Sequence, residues 1–237
     1  MPIFALLGRF ATSLAKIEAR PPPSLKVPHQ LQLAQMPYTL IFDTETTGLP
    51  VDKRTDALKK RSNWPDLVSI CWMLFDGDKA VSENYFIICP NGWTIPAETA
   101  AFHGISQEKA TAEGKPLADV LTLLRQDIEK SSRLVAHNLE FDKNVLFNAY
   151  AWRLQIDPRA FWDDAKEFCS LQKSKGEMKI PGRYPKSNDP YKMPKLDELY
   201  QDTFGEPAPP DAHNAKRDVA VLQKIIFKRW PNECRDT

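Results

Sequence analysis

Two acidic side chains, Asp43 and Glu45, stand at the end of an apolar stretch and could bind a cation. The apolar stretch predicts a β-strand, and a glycine turn follows at Gly48. Because side chains alternate along a strand, Asp43 and Glu45 should share one face while Thr44 points to the other. Two carboxylates this close repel each other and lose solvation under a covered sheet, so a divalent cation is the natural candidate between them. Acids and a glycine also suit a solvated turn, so the pair alone leaves that structural interpretation open.

Two further acids and a histidine occur where local structure could bring them to the same place. Asp142 falls in the first turn of a predicted helix, where an acid suits the helix dipole without any further role. Asp218 borders the apolar face of the last predicted helix. His213 lies five residues earlier, about 140° around an ideal helix, so the two side chains would not share a helix face. If they share a site, His213 must lie on the loop that enters the helix.

The composition indicates one globular α/β domain with a tail. The chain has 237 residues, of which 42% are hydrophobic and 27% charged, enough for one substantial core. Its 32 basic and 31 acidic residues give a net charge of +1, which does not predict strong non-specific binding of nucleic acid. Any site for a polyanion must therefore be local. No apolar run approaches the roughly 18 residues of a membrane span, so no membrane association is expected.

The cysteines give an expectation about the compartment. Cys71, Cys89, Cys169 and Cys234 are scattered, with no C-x-x-C pair. This spacing suggests neither a disulfide framework nor a zinc knuckle, and a reducing compartment, the cytoplasm, fits best.

Residues 1–36 differ from the rest and are expected to be a basic, proline-containing extension of a domain at 37–237. Their basic residues face a single acid, Glu18, and three prolines follow one another at 21–23. Three interpretations compete: an organellar leader, a tail that docks a partner, or an extension upstream of the functional start. We favour the last, because Met36 stands just before the first strand and could itself be an initiator. Hydroxyl residues are too few for a good leader.

The order of strand and helix patterns predicts a mixed α/β sheet. Two β-rich runs, 67–75 and 80–89, meet at Asp76-Gly77, a hairpin signal that continues the first strand as an antiparallel meander. A later strand at 133–137 runs into a helix, which points to a parallel crossover. We therefore expect an antiparallel meander of three strands plus parallel strands, flanked by helices. Other helices are predicted over 96–104, 106–114, 116–130, 194–205 and from about 211 to 230.

Two segments are basic and lack an apolar period. Residues 51–63 carry five basic residues against two acids and predict a loop that either touches phosphates or is simply solvated. Residues 170–195 are polar, proline-rich and basic, with Tyr184 and Tyr191 interleaved. They are interpreted as a basic insertion, either a flap that binds a nucleic-acid strand or a disordered surface segment.

Three motifs, in order, resemble those of the DnaQ-like (DEDDh) 3′→5′ exonucleases of the RNase H-like superfamily. The resemblance covers about residues 37–230, includes a Thr-Gly-Leu turn after Glu45, and departs at Leu139, where many relatives carry a small residue. The motifs are Asp43-x-Glu45, His137-Asn138-x-x-Phe141-Asp142 and His213-x-x-x-x-Asp218, with His103-Gly104-Ile105 as a further similarity.

The resemblance implies a phosphodiester hydrolase that uses two divalent cations, Mg²⁺ or Mn²⁺. Carboxylates are the hard oxygen ligands that these ions prefer, and two ions about 3.5–4 Å apart can clamp the attacking and leaving oxygens. Asp43, Glu45 and Asp218 would hold one ion, Asp43 would share the second, and Asp142 would support it. His213 would be the general base. The implied substrate-binding residues are Thr46, Gly48, Leu49, His103, Ile105, Asn138 and Phe141, whereas His137 is assigned no catalytic role.

The expected substrate is single-stranded DNA or a frayed 3′ end, and the expected products are nucleoside 5′-monophosphates. An exoribonuclease of the same family is the nearest alternative, because recognition of a 2′-hydroxyl depends on the shape of the pocket. A non-catalytic module that binds nucleic acid or a polymerase is the alternative from another class. Proofreading with a polymerase partner, repair and degradation of fragments remain open.

Overall fold

In the computed structural model, residues 38–184 and 188–234 are described, and the predictions for residues 1–36 lie outside them. Within the described residues, five strands form one sheet in the order β3-β2-β1-β4-β5. β1 and β3 pair antiparallel with β2, whereas β4 pairs parallel with β1 and β5. This sheet confirms the predicted meander with added parallel strands. The strands are β1 (Tyr38–Thr46), β2 (Leu67–Asp76), β3 (Lys79–Ile87), β4 (Ser131–Ala136) and β5 (Glu167–Cys169).

Seven α-helices are present in the described residues, and none of them is both long and apolar enough to cross a membrane. Gly104 ends the first helix at φ 74°, a left-handed conformation that glycine adopts without strain. Ser106 caps the second, since its Oγ accepts a hydrogen bond from the amide of Lys109 at 3.1 Å. The helices are α1 (Ala97–His103), α2 (Gln107–Glu113), α3 (Leu117–Lys130), α4 (Leu139–Asn148), α5 (Ser170–Met178), α6 (Leu196–Phe204) and α7 (Ala215–Arg229).

The central strand β1 buries both of its faces. Leu40 and Phe42 pack in one apolar cluster with side chains of α3 and α4, whereas Ile41 packs on the opposite side with side chains of α6 and α7. Asp43 and Glu45 follow Ile41 in the alternation, so they lie on the α7 side of the sheet. The fold thus brings the end of β1 against the start of α7.

Several boundaries differ from the sequence predictions. The last helix begins at Ala215 rather than near Asp211, because Asp211 and His213 have positive φ and Asn214 caps the helix. Helix α4 is followed at Ala149 by a π-helix, Ala149–Arg153, which the sequence pattern did not predict.

The structure also differs from the sequence prediction around residue 170. The short strand β5 was not predicted, and residues 170–178 are not an irregular insertion, because they form helix α5. Ser170, Leu171 and Ser174 are buried there, so α5 packs on the domain. In the rest of the predicted insertion, the described residues 179–184 and 188–195 contain no helix.

Candidate active site

Three carboxylates meet where β1 ends and α7 begins. Asp43 and Glu45 come from β1, and Asp218 comes from the first turn of α7. One oxygen from each lies within 4.8 Å of the others, close enough for one metal ion to contact all three. The strand alternation predicted from the sequence therefore placed Asp43 and Glu45 on the correct common face.

Asp142 reaches the same region from helix α4, on the other side of β1. Its Oδ1 accepts hydrogen bonds from Thr44 twice, from the backbone amide at 3.1 Å and from Oγ1 at 2.6 Å. Asp142 is only 3% exposed. Thr44 was not singled out in the sequence, yet it fixes one oxygen of this buried acid. Its position between the two acids, pointing to the opposite face, was the available signal.

The acids raise one another's proton affinity. Burial, and then the charges of Asp142, Glu45 and Asp218, raise the pKa of Asp43 well above its ordinary value. Burial, with the charges of Asp218 and Asp142, raises the pKa of Glu45 to about 8. Burial also raises the pKa of Asp142 to about 7, although its bonds to Thr44 act in the opposite direction. A divalent cation among these oxygens would offset both the burial and the repulsion.

Arg217 partly neutralises the site from beside Asp218. Its Nη1 donates to Asp218 Oδ1 at 2.7 Å, and its Nη2 lies 2.7 Å from Asp197 Oδ1 on α6. Its Nε donates to the carbonyl of Pro209 at 3.0 Å. Burial nevertheless keeps the pKa of Asp218 raised. Arg217 therefore ties α6, α7 and the loop before α7 together. The sequence offered no signal beyond its position next to Asp218.

His213 lies on the loop that enters α7, as the sequence predicted for a shared site. Its backbone amide donates to Asp218 Oδ2 at 3.2 Å, and its φ is 65°. Its ring stacks on Phe102 of α1, with ring centroids 3.8 Å apart and planes 29° apart. Both side chains are exposed, Phe102 to 60%. The sequence prediction missed Phe102, whose only signal is its place before His103.

An open groove of about 800 Å³ is lined by Asp43, Glu45, Asp218 and His213, whereas Asp142 lies behind it. Six of the seven predicted substrate-binding residues line it: Thr46, Gly48, Leu49, His103, Asn138 and Phe141. Ile105 does not, and this corrects the prediction. It is 3% exposed and packs with Val68, Ile87 and Ile95, because its side chain completes a small apolar cluster. Its backbone amide instead donates to His103 Nδ1 at 3.2 Å.

The ring of His137 bonds to neighbouring segments of the domain. Its Nε2 lies 3.1 Å from the carbonyl of Pro194, so Nε2 carries the proton and Nδ1 accepts from Ser170 Oγ at 2.9 Å. Burial lowers the pKa of His137 to about 4, which keeps the ring neutral. These bonds attach the segment before α6, including Met193 and Lys195 at the rim of the groove, to strand β4.

Comparisons with known proteins identify the family and the fold of the chain. The model of the RNase T exonuclease family matches residues 40–226, whereas no curated protein sequence matches the chain. The zinc-bound complex of E. coli exonuclease I with single-stranded DNA superposes with a TM-score of 0.62 at 19% identity, covering 83% of this chain and 42% of that one. Its complex with a dT13 oligonucleotide gives 0.61 at 18%, with coverages of 83% and 42%. The chain spans less than half the length of these structures, and the likeness to them is one of fold.

Proposed function

Because the chain belongs to this exonuclease family, we propose that it is a metal-dependent 3′→5′ exonuclease. It hydrolyses phosphodiester bonds at the 3′ ends of single-stranded or frayed DNA and releases nucleoside 5′-monophosphates. The observation that carries the proposal is the meeting of Asp43, Glu45 and Asp218, whose oxygens lie within 4.8 Å of one another in a groove that also holds His213. An acidic cluster alone would suit many roles, but a histidine beside it suits hydrolysis.

The acids fit a pair of Mg²⁺ or Mn²⁺ ions. Asp43, Glu45 and Asp218 would hold one ion, and Asp43 with Asp142 the second. The raised pKa values support this assignment, since the buried carboxylates lack enough positive charge from Arg217 alone. When bound, such ions neutralise the phosphate and favour ionisation of the attacking water. The protein's own part is to keep the carboxylates fixed, and for Asp142 that is done by Thr44.

His213 takes the proton from the attacking water. An imidazole suits this step because its ordinary pKa lies close to neutral pH. Its backbone is anchored to Asp218, whereas its ring rests on Phe102 at the exposed edge of the groove. The approach of the ring to the attacking water is assigned to a rotation of the side chain, while the backbone amide stays bonded to Asp218.

The terminal nucleotide lies against the turn after β1. Thr46, Gly48, Leu49 and His103 hold it, and the strand leaves past Asn138 and Phe141, all of which line the groove. DNA is the favoured substrate because the turn after Glu45 is similar to that of proofreading-type enzymes, and because the E. coli exonuclease I structures contain single-stranded DNA. Proofreading or repair with a polymerase partner, and a cytoplasmic location, stay predictions from the sequence.

The test is digestion of 5′-labelled single-stranded DNA, matched RNA and a duplex with a 3′ mismatch, each with Mg²⁺ or EDTA. The wild-type protein should produce a descending ladder only with metal, and DNA should be cut faster than RNA. Asp43→Asn, which preserves the shape of the side chain, should remove the activity. Metal-dependent digestion by that variant would contradict the proposal. Faster cutting of RNA would identify an exoribonuclease, and retention of the strand without digestion a binding module.

A further inference from the structure

Residues 51–64, here called the basic loop, are held in one conformation by their own side chains. Asn63 is 2% exposed, and its Nδ2 donates to the carbonyls of Asp52 and Thr55 at 2.9 and 3.2 Å. Its Oδ1 accepts from the amide of Asp52 at 3.0 Å. Trp64 Nε1 donates to the carbonyl of Thr55 at 2.7 Å. A loop with its ends joined in this way presents its outer side chains in fixed positions.

The basic loop is also docked on the helix that carries Asp142. Ala57 at its centre is fully buried, and its amide donates to Asn144 Oδ1 of α4 at 2.9 Å. The carbonyl of Ala57 accepts from Trp152 Nε1 at 2.7 Å. The loop therefore has a defined position relative to the acidic groove.

Within the basic loop, the acids and the bases have different surroundings. Asp52 accepts from the amide of Arg54 at 3.0 Å, and Asp56 accepts from the amide of Leu58 at 2.7 Å, so both acids close turns of the loop. Four other basic side chains are exposed, and in the described parts of the chain none of the four forms an ion pair. They are Lys53, Lys59, Lys60 and Arg61. Positive charge is thus left available to an outside anion.

Neighbouring grooves share lining residues from the acidic groove to the basic loop. A second groove of about 790 Å³ shares Leu49, Asn138 and Phe141 with the acidic groove. It shares Lys53 in turn with a third groove of about 1070 Å³, which Lys59 also lines. The third groove is also lined by acids. Two of these acids contact Lys143 at 2.7 and 2.6 Å, and neither forms an ion pair with Lys53 or Lys59. That pair is Asp164 and Glu167.

We infer that the basic loop is a second binding site for the nucleic-acid strand. Lys53 and Lys59 contact phosphates on the 5′ side of the nucleotide that is being removed. Between the two sites the strand crosses Leu49 and Val51, which are 83% and 81% exposed and offer apolar surface to the bases. The inference rests on the proposed function, since it takes the acidic groove as the place of the 3′ end.

The test compares KM for a trinucleotide with KM for a strand of about 20 nucleotides, longer than the roughly 4–16 nucleotides that a single-strand groove covers. In the double variant Lys53→Ala/Lys59→Ala, KM for the long strand should rise roughly tenfold relative to KM for the trinucleotide, with little change in kcat. The slope of log KM against the logarithm of the salt concentration should fall by about 1.4, which is about 0.7 for each lost phosphate contact. Lys53→Arg/Lys59→Arg keeps the charge and should behave as the wild type.

The matched control is Lys79→Ala/Lys228→Ala, which removes the same charge from exposed positions at the β2–β3 turn and the last turn of α7. A double variant at 53 and 59 that matches this control in KM ratio and salt slope would overturn the inference. Binding of a fluorescein-labelled long strand by Asp43→Asn, followed by anisotropy, separates the two proposals. Suppose that the wild-type protein shows no nuclease activity, but that replacing Lys53 and Lys59 by alanine abolishes binding of the strand. This result would refute the proposed exonuclease activity and would support the second binding site. If the protein has nuclease activity and replacing the two lysines changes nothing, the exonuclease proposal is supported and the second binding site is refuted.

Discussion

The two walls of the acidic groove are built differently. One, the acid wall, consists of the end of β1, supported from behind by Asp142 in the first turn of α4. Glu45 and Asp142 are 9% and 3% exposed. The other, the histidine wall, consists of α1 and the loop before α7, where Phe102 and His213 are exposed and His213 has a φ of 65°. Regular elements hold the groups that must keep a fixed spacing. A loop holds the group that only has to reach a proton.

The difference follows from the chemistry proposed for each wall. Ligands of a metal pair must keep their oxygens within a few tenths of an ångström, which packed strands and helices provide and loops rarely do. A proton acceptor tolerates a range of positions, provided that it comes within hydrogen-bonding reach during the reaction. Variants in the two walls should therefore change different quantities.

The largest expected effect of changing the histidine wall comes from His213→Ala. The kcat for single-stranded DNA should fall about 10²–10⁴-fold, the usual contribution of a general base. Because the side chain is exposed and the acids remain, the rise in Tm on adding Mg²⁺ should equal that of the wild-type protein. Single-turnover kinetics and thermal unfolding with and without Mg²⁺ measure both. A decrease in kcat of less than tenfold would show that another group accepts the proton.

A smaller effect is expected from Thr44→Val in the acid wall. Valine keeps the shape and the backbone amide but loses the 2.6 Å hydrogen bond from Oγ1 to Asp142. Activity should fall about 10–100-fold, as is usual when a group that orients a metal ligand is removed. Thr44→Ser retains the hydroxyl and should stay near the wild-type rate. If valine and serine were equally active, the position of Asp142 would not depend on this bond.

The acid wall is also the part of the site that the sequence predicted best. Asp43 and Glu45 lie on one strand, so a period of two residues fixes their common face, and the helical pattern places Asp142 in a first turn. The same local regularity predicted the three-stranded meander. Local patterns succeed where the geometry of one element decides the outcome.

The histidine wall could not be predicted in this way. The stack of Phe102 on His213 joins residues more than a hundred positions apart, and positive φ at Asp211 and His213 has no apolar period to reveal it. Helix α5 was missed because only a few of its residues are apolar, and its buried side chains include two serines. Ile105 was wrongly predicted to bind substrate, because a sequence motif does not show the direction in which a side chain points.

The smallest expected effect concerns the stability of the protein rather than the rate of the reaction. In the folded protein, burial and the charges of Asp218 and Asp142 raise the pKa of the Glu45 carboxyl to about 8, from an ordinary value of 4.5. Between these values the folded protein holds a proton that the unfolded chain has released. The contribution of Glu45 to the stability of the metal-free protein therefore falls as the pH rises from about 4.5 to about 8.

Glu45→Gln removes this contribution, so in EDTA at pH 8 its Tm should exceed that of the wild type by at least about 4 °C, because a pKa shift of this size corresponds to several kcal/mol. The difference should disappear near pH 4.5. Mg²⁺ at pH 8 should raise the Tm of the wild type more than that of the variant, because binding to the folded state alone stabilises it. Asp78→Asn, at an exposed turn, is the control and should show neither change. Equal Tm values for Glu45→Gln and the wild type at pH 8 would mean that the acid wall assembles without electrostatic cost, and the two walls would then differ in geometry alone.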